Sequence, residues 1–174
     1  MKPPPIPEVQ PIKGLTIRYT TAQDAEYLRT WLLDPEVRDA FPMNAGGVEV
    51  EDAVRRWISF SRIRASLTVE MNGRPVGIGT LYIQNYKRIM HQTEFGIIVG
   101  EGHRGHGIGS YLLSSLLKLA KKQFRIELIH LQVYHDNPAI PFYERFGFVE
   151  FGRQTHWIKD GDQYLGRIFM ERFI

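Results

Sequence analysis

One hexapeptide concentrates chemical potential in this chain: Arg104-Gly105-His106-Gly107-Ile108-Gly109. It stands between an apolar run ending at Val99 and a helical stripe that begins at Ile108. The first turn of a helix leaves its amides unpaired and pointing outward, and the aligned peptide dipoles make that end positive. Glycine removes the Cβ that would hold a ligand off the backbone. Glycines at near-alternate positions against a helix start therefore favour an anion, most naturally a phosphate. Arg104 adds a guanidinium. Two nucleotide loops that share this physics fit poorly. A P-loop needs Gly-Lys-Ser/Thr, and no lysine follows here. A dinucleotide fingerprint needs G-x-G-x-x-G. Pairing Gly105 with Gly107 puts Ser110 in third place, and pairing Gly107 with Gly109 puts Leu112 there.

Periodicity supplies the elements that must position this loop. Residues 15–19 alternate as a short strand. Thr20 and Thr21 offer an N-cap to a helix carrying Ala25, Leu28, Trp31 and Leu32, which Asp34-Pro35 ends or interrupts. A loop over 41–47 leads to a second helix over 51–63. Strands over 67–71 and 76–83 flank Asn72-Gly73, a strong hairpin signal. Residues 94–99 are apolar on both faces and read as a central strand. The helix from Ile108 carries Leu112, Leu116 and Leu119 on one stripe. A buried strand over 126–133 follows, then a short helix over 139–146 ended by Gly147, and a terminal hairpin turning at Asp160-Gly161. The order predicts one mixed α/β domain over 14–174, not a regularly doubly wound one. Residues 1–13, with Pro3, Pro4, Pro5, Pro7 and Pro11, read as an extended, poorly ordered tail.

Composition narrows the function classes. The 174 residues include no cysteine. That excludes a disulfide framework, a thiolate nucleophile and any metal site built on Cys; no metal is expected. The net charge of +3 permits an anionic ligand but does not argue for nucleic acid. Lys118, Lys121, Lys122 and Arg125 read as the solvated face of the helix, with no interleaved aromatics to stack on bases. No apolar run is long enough to span a membrane and no apolar leader opens the chain, so a soluble cytoplasmic protein is expected, without membrane partners.

The glycine hexapeptide resembles the acetyl-CoA-binding motif of the GNAT acetyltransferase superfamily, Q/R-x-x-G-x-G/A. Glu94-Phe95-Gly96-Ile97-Ile98-Val99 is similar to that family's central strand. Asn137-Pro138-Ala139-Ile140-Pro141-Phe142-Tyr143-Glu144-Arg145-Phe146-Gly147-Phe148 resembles its N-x-x-A-x-x-x-Y-E-x-x-G-F segment. Counting back from Tyr143, the usual asparagine position holds Asp136, and Asn137 stands one residue closer. The resemblance covers roughly residues 15–174. It implies a mixed, mostly antiparallel sheet of six or seven strands, splayed between the fourth and fifth and flanked by about four helices. It also implies acetyl-CoA in the splay. Backbone groups of Ile97, Ile98 and Val99 would run beside the pantetheine as an added strand would. Arg104, Gly105, His106, Gly107, Ile108, Gly109 and Ser110 would cradle the pyrophosphate, and Asn137 would hydrogen-bond the pantetheine.

The implied reaction is direct acyl transfer to an amine. The amine must lose a proton, an oxyanion must be stabilised, and the leaving thiolate must be protonated or solvated. Tyr143, a phenol protonated at neutral pH, is the candidate acid, and Glu94, acting through water, the candidate base. His91, His130, His135 and His156 are rivals because imidazole titrates near neutrality; His103 and His106 flank the phosphate. The acceptor, a small-molecule or peptide amine, is expected against the two N-terminal helices and the final hairpin. Asp34, Glu36, Asp39, Glu49, Glu51 and Asp52 cluster there, which suits a cationic amine. Leu33-Asp34-Pro35-Glu36-Val37-Arg38 is similar to the ribosomal-protein (RimL-like) N-acetyltransferases and their aminoglycoside- and polyamine-modifying relatives. A monomer or homodimer is expected. A non-catalytic acyl-CoA-binding module and a dinucleotide-dependent oxidoreductase are the competing readings.

Overall fold

Seven strands carry the chain: β1 (Leu15–Tyr19), β2 (Ser66–Met71), β3 (Arg74–Ile83), β4 (Gln92–Val99), β5 (Leu128–Tyr134), β6 (Val149–Asp160) and β7 (Gln163–Phe173). In the computed structural model, which describes residues 3–38, 40–41 and 47–174, they form one sheet in the order β1-β2-β3-β4-β5-β7-β6. Every neighbouring pair is antiparallel except β4 and β5. The helices are α1 (Ala25–Leu33), α2 (Pro35–Arg38), α3 (Gly47–Ser59), α4 (Ile108–Phe124) and α5 (Ile140–Arg145). The expected loop over 41–47 and Asp39 of the acidic cluster lie largely outside the described residues. No described helix is long and apolar enough to cross a membrane.

Two hydrophobic clusters sandwich the sheet. One gathers Leu112, Leu113, Leu116 and Leu117 of α4 and Tyr143 of α5 against Phe95, Ile129 and Met170. The other gathers Leu28, Trp31, Val54 and Trp57 of α1 and α3 against Ile78, Tyr82 and Ile98. Strand alternation distributes β4 between them: Phe95 turns to the α4 side and Ile98 to the α3 side.

Local chemistry fixes the corners. The Asn72-Gly73 turn joins β2 to β3 as the sequence predicts. At the end of α5, the amide of Gly147 donates to Glu144 O at 2.8 Å and that of Phe148 to Tyr143 O at 3.1 Å. This pair of bonds needs a left-handed residue at Gly147, whose φ is +80°. It stops α5 one turn after Tyr143 and holds that ring over the sheet.

Residues 3–13 correct the expectation of a loose tail. Ile6, Val9 and Ile12 pack on the α4-side core. The Ser114 hydroxyl donates to Pro7 O at 2.8 Å, and Arg172 Nη2 donates to Pro4 O at 2.9 Å and Pro5 O at 2.7 Å. Arg172 explains the docking. It is 2% exposed, has no carboxylate partner among the described residues, and bonds only to carbonyls, the third being Phe146 O at the end of α5. Burial pushes its guanidinium pKa down. A buried cation needs such acceptors, and a proline-stiffened strap supplies them with little conformational entropy left to lose.

Candidate active site

Strands β4 and β5 pair over only three positions, Gln92↔Leu128, Thr93↔Ile129 and Glu94↔His130, and then part. The sheet therefore opens beyond Glu94. A cavity of about 910 Å³ fills the opening and reaches both faces, lined by Ile97 and Val133 along the gap, Tyr143 on one side and Trp57 on the other. Its size is at the upper end of small-molecule sites. The amide of Gly100 donates to Val76 O at 2.8 Å, which sets the hydrogen-bonding phase of the β3–β4 ladder. In that phase the main-chain groups of Ile97 and Val99 face the gap, while those of Ile98 face β3. Ile98 is 4% exposed in the α3-side cluster and lines the cavity with its side chain rather than its main chain.

The glycine hexapeptide runs along the edge of this cavity. Gly107 caps α4 with φ +80°, and Gly105 has φ +77°. Gly109 is informative for the opposite reason. Its φ is ordinary, and a Cβ there would meet nothing nearer than Phe142 and Val99 at 3.9 Å. Neither strain nor internal packing requires glycine at this point, yet it lines the cavity. A side chain would occupy space beside the free amides of the α4 N-terminus. Arg104 departs from the role given to it by charge alone. Its Nη2 bonds Asp34 at 2.8 Å, its Nη1 bonds Glu36 at 2.7 Å, and its Nε donates to Val99 O at 2.9 Å. The guanidinium is neutralised and ties the corner of α1 and α2 to the loop. His106 is exposed on the loop, Ile108 is buried in the core, and Ser110 is half-buried in the first turn of α4.

Glu94 lies on the α3 side, in a cross-strand row with Tyr82 on β3 and His130 on β5. Its Oε1 accepts from Gln132 Nε2 at 2.8 Å, and the Gln132 carbonyl accepts from Arg167. Because Arg167 only donates, the amide must turn its NH2 toward Glu94. Gln132 and Arg167 carry no motif, and only the β4–β5–β7 register reveals them. The same holds for Tyr82 and Trp57. A Cβ on Gly96 would lie 2.5 Å from the Trp57 ring and 2.6 Å from Tyr82 Oη, so this glycine lets both rings close on β4. Of the rival histidines, His130 alone sits beside Glu94. Burial lowers its pKa, and Glu94 and Glu171 pull the other way. His91, His135 and His156 are exposed.

Tyr143 lies across the gap, 8% exposed, edge-on to Phe95 at 6.1 Å. Burial pushes its pKa up to about 12. Asn137 Oδ1 accepts from the Ala139 amide at 2.8 Å and so braces the start of α5, while its residue lines the cavity.

The splayed sheet with a glycine-capped helix at its edge is what the sequence resemblance implies, and the comparisons agree. Residues 26–148 match the Acetyltransferase (GNAT) family. The chain belongs to this family. Members of the GNAT family use acetyl-CoA as acetyl donor. The chain is 29% identical over 103 residues to an L-amino acid N-acetyltransferase of Escherichia coli, covering 59% of this chain and 64% of that one. It is 32% identical over 111 residues to an N-alpha-acetyltransferase of Sulfurisphaera tokodaii, covering 58% and 66%. Thus it spans less than two thirds of the length of those relatives. Among solved structures, a ribosomal-protein-alanine N-acetyltransferase from Brucella melitensis superposes with TM-score 0.77 at 23% identity, covering 91% of this chain and 99% of that one. A spermidine N-acetyltransferase from Vibrio cholerae, in complex with CoA and spermine, gives 0.76 at 21%, covering 93% and 96%. A putative acetyltransferase from Salmonella typhimurium with acetyl-CoA gives 0.76 at 19%, covering 91% and 93%. At these identities the structural likeness concerns the GNAT fold.

Proposed function

We propose that the chain is an acetyl-CoA-dependent N-acetyltransferase that acts on a primary amine. The names of its relatives point to different amines, among them L-amino acids, protein α-amines and spermidine, and a primary amine is what these share. When bound, acetyl-CoA supplies an acetyl group activated as a thioester. On this reading the gap-facing main chain of Ile97 and Val99 holds the pantetheine. Val99 offers its N–H, since its carbonyl is engaged by Arg104. The amides from Arg104 to Ser110 hold the pyrophosphate at the positive end of α4. Asn137 keeps its NH2 for the pantetheine, its oxygen being bonded to Ala139.

Protons are handled from opposite faces of the sheet. Glu94, oriented by its bond from Gln132, accepts the proton of an incoming ammonium, directly or across one water. Tyr143 keeps its proton through the working range, because its pKa is pushed up to about 12. An ordinary thiol titrates near ~8.5, so full transfer from this phenol to a thiolate would be uphill by several pK steps. Tyr143 therefore donates a hydrogen bond to the leaving sulfur, and the proton itself reaches the sulfur from water.

The observation that carries the cofactor assignment is Gly109, a glycine that neither the backbone nor the packing requires, at the mouth of the cavity. Thermal unfolding with and without CoA tests it. At a hundred times its dissociation constant CoA should stabilise the wild type by about 2.7 kcal/mol, a shift of roughly 5–11 °C. Gly109→Val should unfold near the ligand-free wild-type temperature yet gain no shift. An equal shift in both proteins, or none in the wild type, would overturn the assignment.

A further inference from the structure

We propose that the acceptor is a zwitterion, an α-amino acid with an apolar side chain, whose carboxylate is held by Arg56 while its ammonium faces Glu94. This rests on the acetyltransferase reading above and goes beyond it by naming the acceptor class. The charges lining the cavity decide it. Glu36 is bonded to Arg104, and Asp52 to Arg55 at 2.6 Å. Glu49 also has a partner. Arg104 is bonded to Asp34 and Glu36. Two lining groups have no opposite charge of their own among the described residues. Glu94 is met by the neutral amide of Gln132, and Arg56 by the ring of Tyr82 alone, with its Cζ 4.6 Å from the ring centroid. Glu94 and Arg56 are thus left without an ion-pair partner among the described residues. Of the acidic cluster counted in the sequence, Asp34, Glu36, Glu51 and Asp52 are already paired with arginines in the fold.

The two unmet charges are close neighbours. Tyr82 and Glu94 are register partners on β3 and β4, and Arg56 lies on the Tyr82 ring, so one aromatic side chain separates them. Glu94 and Arg56 therefore border the same ring and the same cavity. Tyr82 is fixed by Phe60 at 5.5 Å and Trp57 at 6.3 Å, which gives Arg56 a firm surface to stack on. A stacked guanidinium keeps its donor fork in plane and matches a carboxylate with two bonds. Beyond the charges the cavity is aromatic, with Phe41, Trp57 and Trp157 in its wall. That lining suits an apolar side chain. A polyamine would bring a second cation toward Arg56, and a peptide N-terminus would offer it a neutral amide.

The test measures acetyl-CoA-dependent thiol release with L-leucine, L-phenylalanine, their carboxamides and spermidine. CoA-induced thermal shifts are recorded on every protein. The acids should exceed their amides in kcat/KM by about ten- to a hundredfold, the range of a charged hydrogen-bonded contact. In Arg56→Gln that ratio should fall to about one through a raised KM, and Arg56→Lys should restore part of it. Amides or spermidine turned over as well as the acids, no turnover of the acids, or a ratio unchanged in Arg56→Gln would overturn the proposal where CoA still stabilises the protein. A wild type that CoA fails to stabilise would instead sink the acetyltransferase reading, and the proposal with it.

Discussion

The face of the sheet under α4 and α5 is closed by aliphatic side chains, with Leu112, Leu113, Leu116 and Leu117 all fully buried. Its polar contribution to the cavity comes mainly from backbone: the gap-facing groups of β4 and the free amides where α4 begins. The face under α1 and α3 is built from side chains that differ in charge and shape, namely Glu94, Gln132, Tyr82, Trp57 and Arg56. The difference is one of function as well as packing. Backbone amides read a phosphate or an amide chain whatever the side chains are, so under the proposed function main chain and glycine would hold the cofactor common to the family. Under the same proposal an acceptor that varies among relatives would be read by side chains. The two halves meet only where β4 and β5 part.

Breaking the first face should have the largest effect. Deleting residues 1–11 removes the packing of Ile6 and Val9 and two of the three carbonyl partners of Arg172. Leaving a buried cation without compensation costs about 3–5 kcal/mol, and chemical denaturation should show a loss of that order. A loss under 1 kcal/mol would mean that the strap is not what supports Arg172.

A smaller effect on the second face sharpens the contrast, because that face is anchored by ions. Asp24 is 2% exposed, at the foot of α1. Burial alone would raise its pKa, but Arg18, the Thr21 amide and the Thr68 hydroxyl outweigh that and hold it below the ordinary value of 3.8. A carboxylate with a depressed folded pKa stabilises the fold fully above its unfolded pKa and loses that contribution as pH falls through the folded one. Asp24→Asn should therefore cost about 1–2 kcal/mol near neutral pH. The gap to wild type should stay flat down to about pH 4 and narrow below it. Unfolding midpoints across pH check this, and a gap that widens in acid would refute the sign.

The sequence made the backbone-built half legible and left the side-chain half largely hidden. Glycine spacing, the hairpin at Asn72-Gly73 and the stop at Gly147 report local geometry, and local geometry is what a short motif encodes. Gln132, Arg167 and Tyr82 reach Glu94 only through pairings between strands far apart in the chain, so no motif announces them. The pairing of Arg104 is hidden for a related reason: its charge is visible in sequence, but the carboxylates of Asp34 and Glu36, about seventy positions earlier, are not visibly its partners. The proline-rich segment reads as loose in sequence because its anchor, Arg172, lies at the other end of the chain.

The division of labour between the faces is tested most directly in Glu94→Gln, by measuring CoA-induced stabilisation and turnover on one preparation. Loss of a general base lowers kcat by about 10²–10⁴-fold. The account predicts that loss with the CoA thermal shift unchanged within error. Turnover at the wild-type rate, or a CoA shift lost along with turnover, would contradict it.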